Sequence, residues 1–152
     1  MKRVLALVLG LAALGARAEV AVEVGSGINA TDAQLVLAGL RLPASPLFGK
    51  QSYFELNAGG WDGPTGTALI GAARGVELGS ERLRFAGSVG VSFISQTSET
   101  LGSAFQFYEQ VQMRYHFHRT DVGAFYRHWS NASVKEPNYG ADFAGIVTNF
   151  RW

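Results

Sequence analysis

Residues 82–93 read RLRFAGSVGVSF, and their alternation decides the fold. In an extended strand, Leu83, Phe85, Val89, Val91 and Phe93 share one face, and Arg82, Arg84, Ala86, Ser88, Gly90 and Ser92 share the other. The first face is bulky and apolar. The second combines arginine with very small side chains. A strand of a soluble sandwich also alternates, but its polar face meets water and has no need of small residues. Arginines set among tiny residues suit the interior of a narrow closed barrel, and the bulky face suits lipid.

The same period of two extends in both directions. Phe105 to Phe117 places Phe105, Phe107, Val111, Met113, Tyr115 and Phe117 opposite Gln106, Tyr108, Gln110, Gln112, Arg114 and His116. Glu109 interrupts the apolar face and is expected to mark a bulge or a site above the hydrocarbon. Glu19–Gly25 and Tyr53–Gly59 alternate as well, and Thr67–Leu78 is a strand rich in small residues. Gln34–Leu42 is apolar on both faces, so its orientation stays unassigned, and Pro43, Ser45, Pro46 and Gly49 read as its end. With Val122–Ser130 and Asp142–Trp152 the count reaches eight strands, which implies an all-β, eight-stranded antiparallel transmembrane barrel. Glu23, Glu55, Arg84, Arg114 and Arg151 are expected inside, where opposite charges can pair, and Phe85, Val89, Val91 and Ile146 are expected to face lipid.

The first eighteen residues stand apart from this pattern. Lys2 and Arg3 precede an apolar run from Val4 to Leu14, and Ala16-Arg17-Ala18 fits a small-x-small cleavage site. Residues 1–18 are therefore read as a secretory signal peptide and residues 19–152 as the barrel domain. The 152 residues include no cysteine, which excludes disulfides, thiol nucleophiles and thiolate metal sites. A net charge of +1 gives no basis for nucleic-acid binding. No cofactor is implied. His116 and His118 have strand spacing, but a third metal ligand is lacking nearby, so polar interior or rim positions are expected for them.

If the first strand rises from the periplasm, the loops after strands one, three, five and seven lie outside the cell. One of these, from Asn131 to Gly140, is rich in Pro, Asn and Gly. It is flanked by YRHWS before it and by Asp142 after it. His128 and Ser130 share the outward face of the seventh strand, and Asp142 shares the outward face of the eighth. A hairpin through the loop would bring Asp142 beside His128. Nucleophile, base and orienting acid would then meet on one lipid-facing surface at the outer leaflet, as acyl transfer requires. Glu109, on the strand next to the seventh and with the same outward parity, competes with Asp142 for the role of acid, and Glu136 in the loop is a weaker rival. A structural or adhesin-like barrel is the non-enzymatic alternative, but it gives no reason to place an ionisable pair towards lipid.

The segment HWSNASVKEPNYGAD also resembles the C-terminal motif of the PagL family of outer-membrane lipid A 3-O-deacylases. That motif has His-aromatic-Ser-Asn-Ala, then Lys and Pro-Asn, then an acidic residue opening the last strand. The resemblance implies an outer-membrane serine esterase acting on the 3-hydroxyacyl chain of lipid A, with Ser130 as nucleophile, His128 as base and Asp142 in the acid position. It further implies that Asn131 contributes to the oxyanion hole. The family usually has glutamate where this chain has Asp142. A related esterase acting on phospholipid is a further alternative. The expected partners are lipopolysaccharide and the outer membrane, and the sequence leaves monomer and homodimer both open.

Overall fold

The computed structural model describes residues 18–29, 32–63, 66–98 and 100–151. Eight strands follow in order: β1 (Glu19–Ile28), β2 (Gln34–Leu47), β3 (Lys50–Trp61), β4 (Thr67–Gly79), β5 (Leu83–Ile94), β6 (Phe105–Phe117), β7 (Thr120–Ser130) and β8 (Ala141–Arg151). Each pairs antiparallel with the next, and β1 pairs with β8, so the sheet closes into a barrel. Closure gives every strand a neighbour on both sides, which is the condition for a sheet to cross a bilayer. Phe85, Val89 and Ile146 are exposed on the outer wall, with Val36, Ile70, Val111 and Met113 around them. This outward apolar band is the lipid-facing surface of a transmembrane barrel. The signal peptide reading covers residues 1–18, which lie outside the described residues apart from Ala18, and Trp152 also lies outside them.

Two expectations about strand continuity are corrected. Pro43 and Pro46 do not end the second strand, since β2 runs to Leu47 with an irregularity between Ala44 and Leu47. The reason is positional. The first residue of β1, Glu19, pairs with Arg41, so among the described residues β2 is bonded beyond that point only to β3, and a proline there interrupts no ladder towards β1. Glu109 marks no bulge. It pairs in unbroken register with Val89 on one side and His128 on the other.

The interior is layered. Towards the end that carries the two-residue turns, Glu23, Glu55, Arg41 and Arg127 form a buried lattice. Arg41 Nε donates to Glu55 Oε2 at 2.7 Å, and Arg127 Nη2 lies 3.1 Å from Glu23 and 3.2 Å from Glu55. Gln110 and Gln112 donate to Glu23 at 2.7 and 2.9 Å. Below it, Arg114 contacts Asp121 and Glu77, Arg84 pairs with Glu77 at 2.5 Å, and Arg151 bridges Glu19 at 2.5 Å and Asp121 at 2.7 Å. Here the polar interior is as expected. A vestibule of about 430 Å³ opens at this end, between Arg41, Tyr53, Glu77, Arg84 and Arg151.

At the opposite end the interior is apolar, which the expectation of polar inner faces did not include. Trp129, Phe143, Phe125, Leu35, Leu37 and Val147 pack there as a buried cluster, with Trp61 against them. The rings of Trp129 and Phe143 stand 5.6 Å apart at 89°, an edge-to-face arrangement. Eight strands enclose only enough space for side chains, so large rings fill the volume that water would otherwise occupy. Leu35 and Leu37 point into this plug while Val36 faces lipid, so β2 is apolar on both faces.

Candidate active site

β7 and β8 converge on the loop 131–140, and the direct cross-strand partner of His128 is Asp142. Both face outward. The residues beside them, Trp129 and Phe143, point inward and are fully buried in the aromatic plug, which fixes the two strands from behind. His128 Nδ1 and Asp142 Oδ1 are 2.7 Å apart. The other edge of the imidazole lies over Gly140. A Cβ built there would fall 2.5 Å from His128 Cε1 and 3.3 Å from Nε2, and the φ of +81° independently favours glycine. The ring is thus held between a carboxylate at Nδ1 and a side-chain-free backbone near Nε2.

Ser130 is the last residue of β7. It pairs with Phe107 of β6 and lies past the final β7–β8 pair, Trp129 with Ala141. Its side chain shares the outward, half-buried surface with His128. A rise of about 3.3 Å per residue puts the two backbone positions roughly 7 Å apart, a gap that inclined side chains can span. The structure thus joins His128 to Asp142 by a hydrogen bond and sets Ser130 at the next outward position.

The loop beyond Ser130 is braced rather than loose. Asn131 N donates to Asn138 Oδ1 at 2.8 Å, and Asn131 Nδ2 donates to the Lys135 carbonyl at 2.6 Å. The β5–β6 loop adds two backbone bonds, Gly102 N to Pro137 O at 2.8 Å and Tyr139 N to Thr100 O at 3.0 Å. Asn131, expected at the oxyanion hole, is buried, with an amide hydrogen committed inside the loop. Asn138 is held less tightly at its amide. Its oxygen is anchored beside Ser130, and its Nδ2 makes a 3.4 Å contact with Ser133 Oγ.

Of the rival acids, Glu109 faces outward opposite His128 in the β6–β7 ladder, and Glu136 is exposed on the loop. The carboxylate within hydrogen-bond range of the imidazole is that of Asp142. Other residues meet Asp142 as well. Tyr126 donates its hydroxyl to Oδ1 at 2.6 Å, and Asn29 donates its amide to Oδ2 at 3.2 Å. Sequence reasoning missed both. The parity of Tyr126 with His128 was a usable signal, whereas Asn29 is 113 residues from Asp142 and meets it only through barrel closure. His116 turns inward and bonds Asp121 at 2.6 Å, while His118 sits in the β6–β7 turn. Among the described residues, no group of three His, Asp or Glu side chains could hold a metal ion.

Beside the site, the outer wall carries an apolar groove of about 600 Å³ lined in part by Val76, Gly87, Val89, Glu109, Val111 and Tyr126. Gly87 faces outward between Val76 and Val111, its ladder partners. A Cβ there would have no neighbour nearer than 4.0 Å, so the missing side chain leaves a dent in the lipid-facing wall.

A family model described as lipid A 3-O-deacylase (PagL) matches residues 44–151. The lipid A deacylase PagL of Bordetella bronchiseptica is 29% identical over 108 residues, which cover 64% of this chain and 61% of that protein, so the match spans about three-fifths of the relative's length. The crystal structure of the outer membrane enzyme PagL superposes with a TM-score of 0.71 at 20% identity, covering 88% of this chain and 99% of that one. A de novo designed transmembrane β-barrel gives a TM-score of 0.64 at 13% identity, covering 90% and 96%. At such identities the two structures establish the barrel and leave the chemistry to the residues. Because the family model runs from the end of β2 to the end of β8, and so across His128, Ser130 and Asp142, the chain belongs to the lipid A 3-O-deacylase (PagL) family.

Proposed function

We propose that this barrel is an outer-membrane serine esterase that hydrolyses the ester-linked 3-hydroxyacyl chain at position 3 of lipid A. The observation that carries the reading is the 2.7 Å bond between His128 and Asp142 on the lipid-facing wall, with Ser130 at the next outward position. Charge on that wall is costly, and lipid packing alone does not account for it. Family membership supports the substrate class.

In this reading His128 Nε2 takes the proton of Ser130 Oγ as the oxygen attacks the ester carbonyl. Asp142 holds the Nδ1–H tautomer and offsets the charge of the imidazolium that forms. Collapse of the tetrahedral intermediate breaks the ester C–O bond, and the imidazolium gives its proton to the departing sugar oxygen. Water, deprotonated by the same imidazole, then attacks the acyl-serine, releasing the 3-hydroxy fatty acid and restoring Ser130. Amide N–H groups at the loop stabilise the oxyanion. The resemblance assigns this to Asn131. The committed Asn131 amide favours Asn138 as a second donor. The groove beside Tyr126 offers apolar walls for the acyl chain. In this account residues 1–18 are removed on export, and all the proposed residues lie on one chain, so the chemistry needs no second copy.

Mass spectrometry of lipid A from cells with and without the protein tests the proposal. The expected result is loss of one 3-hydroxyacyl group, dependent on Ser130. Unchanged lipid A, or release of fatty acid from phospholipid instead, overturns it.

A further inference from the structure

Asp142 occupies an exacting position. It is an ionisable side chain on the outer wall of a membrane barrel, where water cannot be relied on to solvate it. A carboxylate has about four lone-pair sites to satisfy. Here Oδ1 accepts from His128 Nδ1 at 2.7 Å and from the Tyr126 hydroxyl at 2.6 Å, while Oδ2 accepts from Asn29 Nδ2 at 3.2 Å. The donors reach it from both flanks. Tyr126 pairs with Ala144, so its hydroxyl crosses the β7–β8 ladder diagonally to the next outward residue of β8. Asn29 follows Ile28, the β1 partner of Asp142, across the seam where the barrel closes.

We infer that Tyr126 and Asn29 are positioning residues for the catalytic acid, a two-sided clamp that fixes the Asp142 carboxylate on His128. The inference rests on the esterase reading of the same site. Aspartate is one methylene shorter than glutamate, so it reaches the imidazole in a narrow range of side-chain torsions. A bond to each oxygen selects that range and solvates the carboxylate from the protein side. The clamp also ties the acid to barrel closure. Asn29 lies outside the segment matched by the family model and joins the site only when β1 meets β8.

A double-mutant cycle on the purified full barrel tests this, with lipid A as substrate and kcat and KM measured separately. The variants are Tyr126→Phe, Asn29→Gly, Asp142→Asn and the two pairs with Asp142→Asn. Glycine replaces Asn29 because its φ of +52° would strain alanine. Tyr126→Phe should lower kcat about tenfold, Asn29→Gly about threefold, both with little change in KM, and neither should lower it further in the Asp142→Asn background. Full kcat in Tyr126→Phe, or the same factor lost with and without Asp142, overturns the clamp. If Tyr126→Phe does not fold, the Asn29 cycle decides by the same criteria. The His128 Nδ1 proton resonance gives a readout independent of turnover. Both single variants should shift or broaden it, and an unchanged resonance also overturns the clamp. Failure of the esterase reading looks different: lipid A stays intact with the wild-type barrel, or Ser130→Ala retains its turnover.

Discussion

The barrel contains two His–Asp pairs of nearly equal geometry. His128 and Asp142 are direct cross-strand partners 2.7 Å apart, and His116 and Asp121 are direct cross-strand partners 2.6 Å apart. They differ in facing and in company. Asp121 is fully buried inside the barrel, and its second oxygen takes Arg114 at 3.3 Å and Arg151 at 2.7 Å. Its charge is spent on two guanidinium groups. Asp142 faces outward and takes hydrogen bonds from a hydroxyl, an amide and the imidazole, with Ser130 at the next outward position beyond His128. A His–Asp bond is therefore not itself a catalytic signature. Its use depends on whether the carboxylate can answer a charge that appears on the ring, and on whether a nucleophile stands beside that ring.

The comparison can be broken in several ways. The largest expected effect is that of Ser130→Ala, which should lower release of 3-hydroxy fatty acid per folded barrel by about four orders of magnitude or more. Full activity in this variant removes the distinction between the pairs. Asp142→Asn should follow, with a loss of about 10²- to 10⁴-fold and the barrel intact. If it keeps full activity while Glu109→Gln abolishes turnover, the acid is Glu109. Asp121→Asn should do the reverse. Turnover per folded molecule stays at the wild-type level, but stability falls by up to about 3 kcal/mol because buried Arg114 and half-buried Arg151 each lose one of their carboxylate partners. Urea unfolding in detergent, followed by the shift of the folded band on a gel, measures that loss. Gly87→Phe should fill the dent in the groove without disturbing the fold and lower turnover of long acyl chains several-fold more than that of short ones. The smallest effect belongs to His116→Ala, expected to leave turnover within twofold of wild type.

Much of this was legible in the sequence, for a physical reason. Wherever the outer face is bulky and apolar and the inner face small or polar, as in β5 and β6, period two assigns both faces. The same rule brought His128, Ser130 and Asp142 to one wall, because a hairpin converts parity into proximity. It failed at β2, where Leu35 and Leu37 meet an aromatic plug and Val36 meets lipid, so no contrast between faces exists to be read. It misread Pro43 and Pro46, because a proline is tolerated at a strand edge or irregularity, where no ladder bond needs its N–H. Periodicity also says which way Trp129 and Phe143 point but not that they fill the end of the barrel. Asn29 was out of reach, since its partner is set by closure of the first strand on the last. The loop asparagines resembled each other on paper, and only their hydrogen bonds separate Asn131, whose amide donates to the Lys135 carbonyl at 2.6 Å, from Asn138, whose amide makes a longer 3.4 Å contact with Ser133 Oγ.

The plug and the ion lattice have a consequence for electrical leakage. Trp129, Phe143 and their neighbours stop one end of the lumen, and the Glu23–Arg127–Glu55–Arg41 lattice fills the section beneath, so the vestibule at the turn-bearing end is a dead end. Reconstituted in a planar bilayer, the barrel should draw no stepwise current, unlike a porin of larger strand number. Cells carrying many copies should exclude small polar solutes as well as cells without it. On the proposed reading, the wall of the barrel carries the chemistry while its bore stays shut, and the membrane would gain a hydrolase without losing resistance.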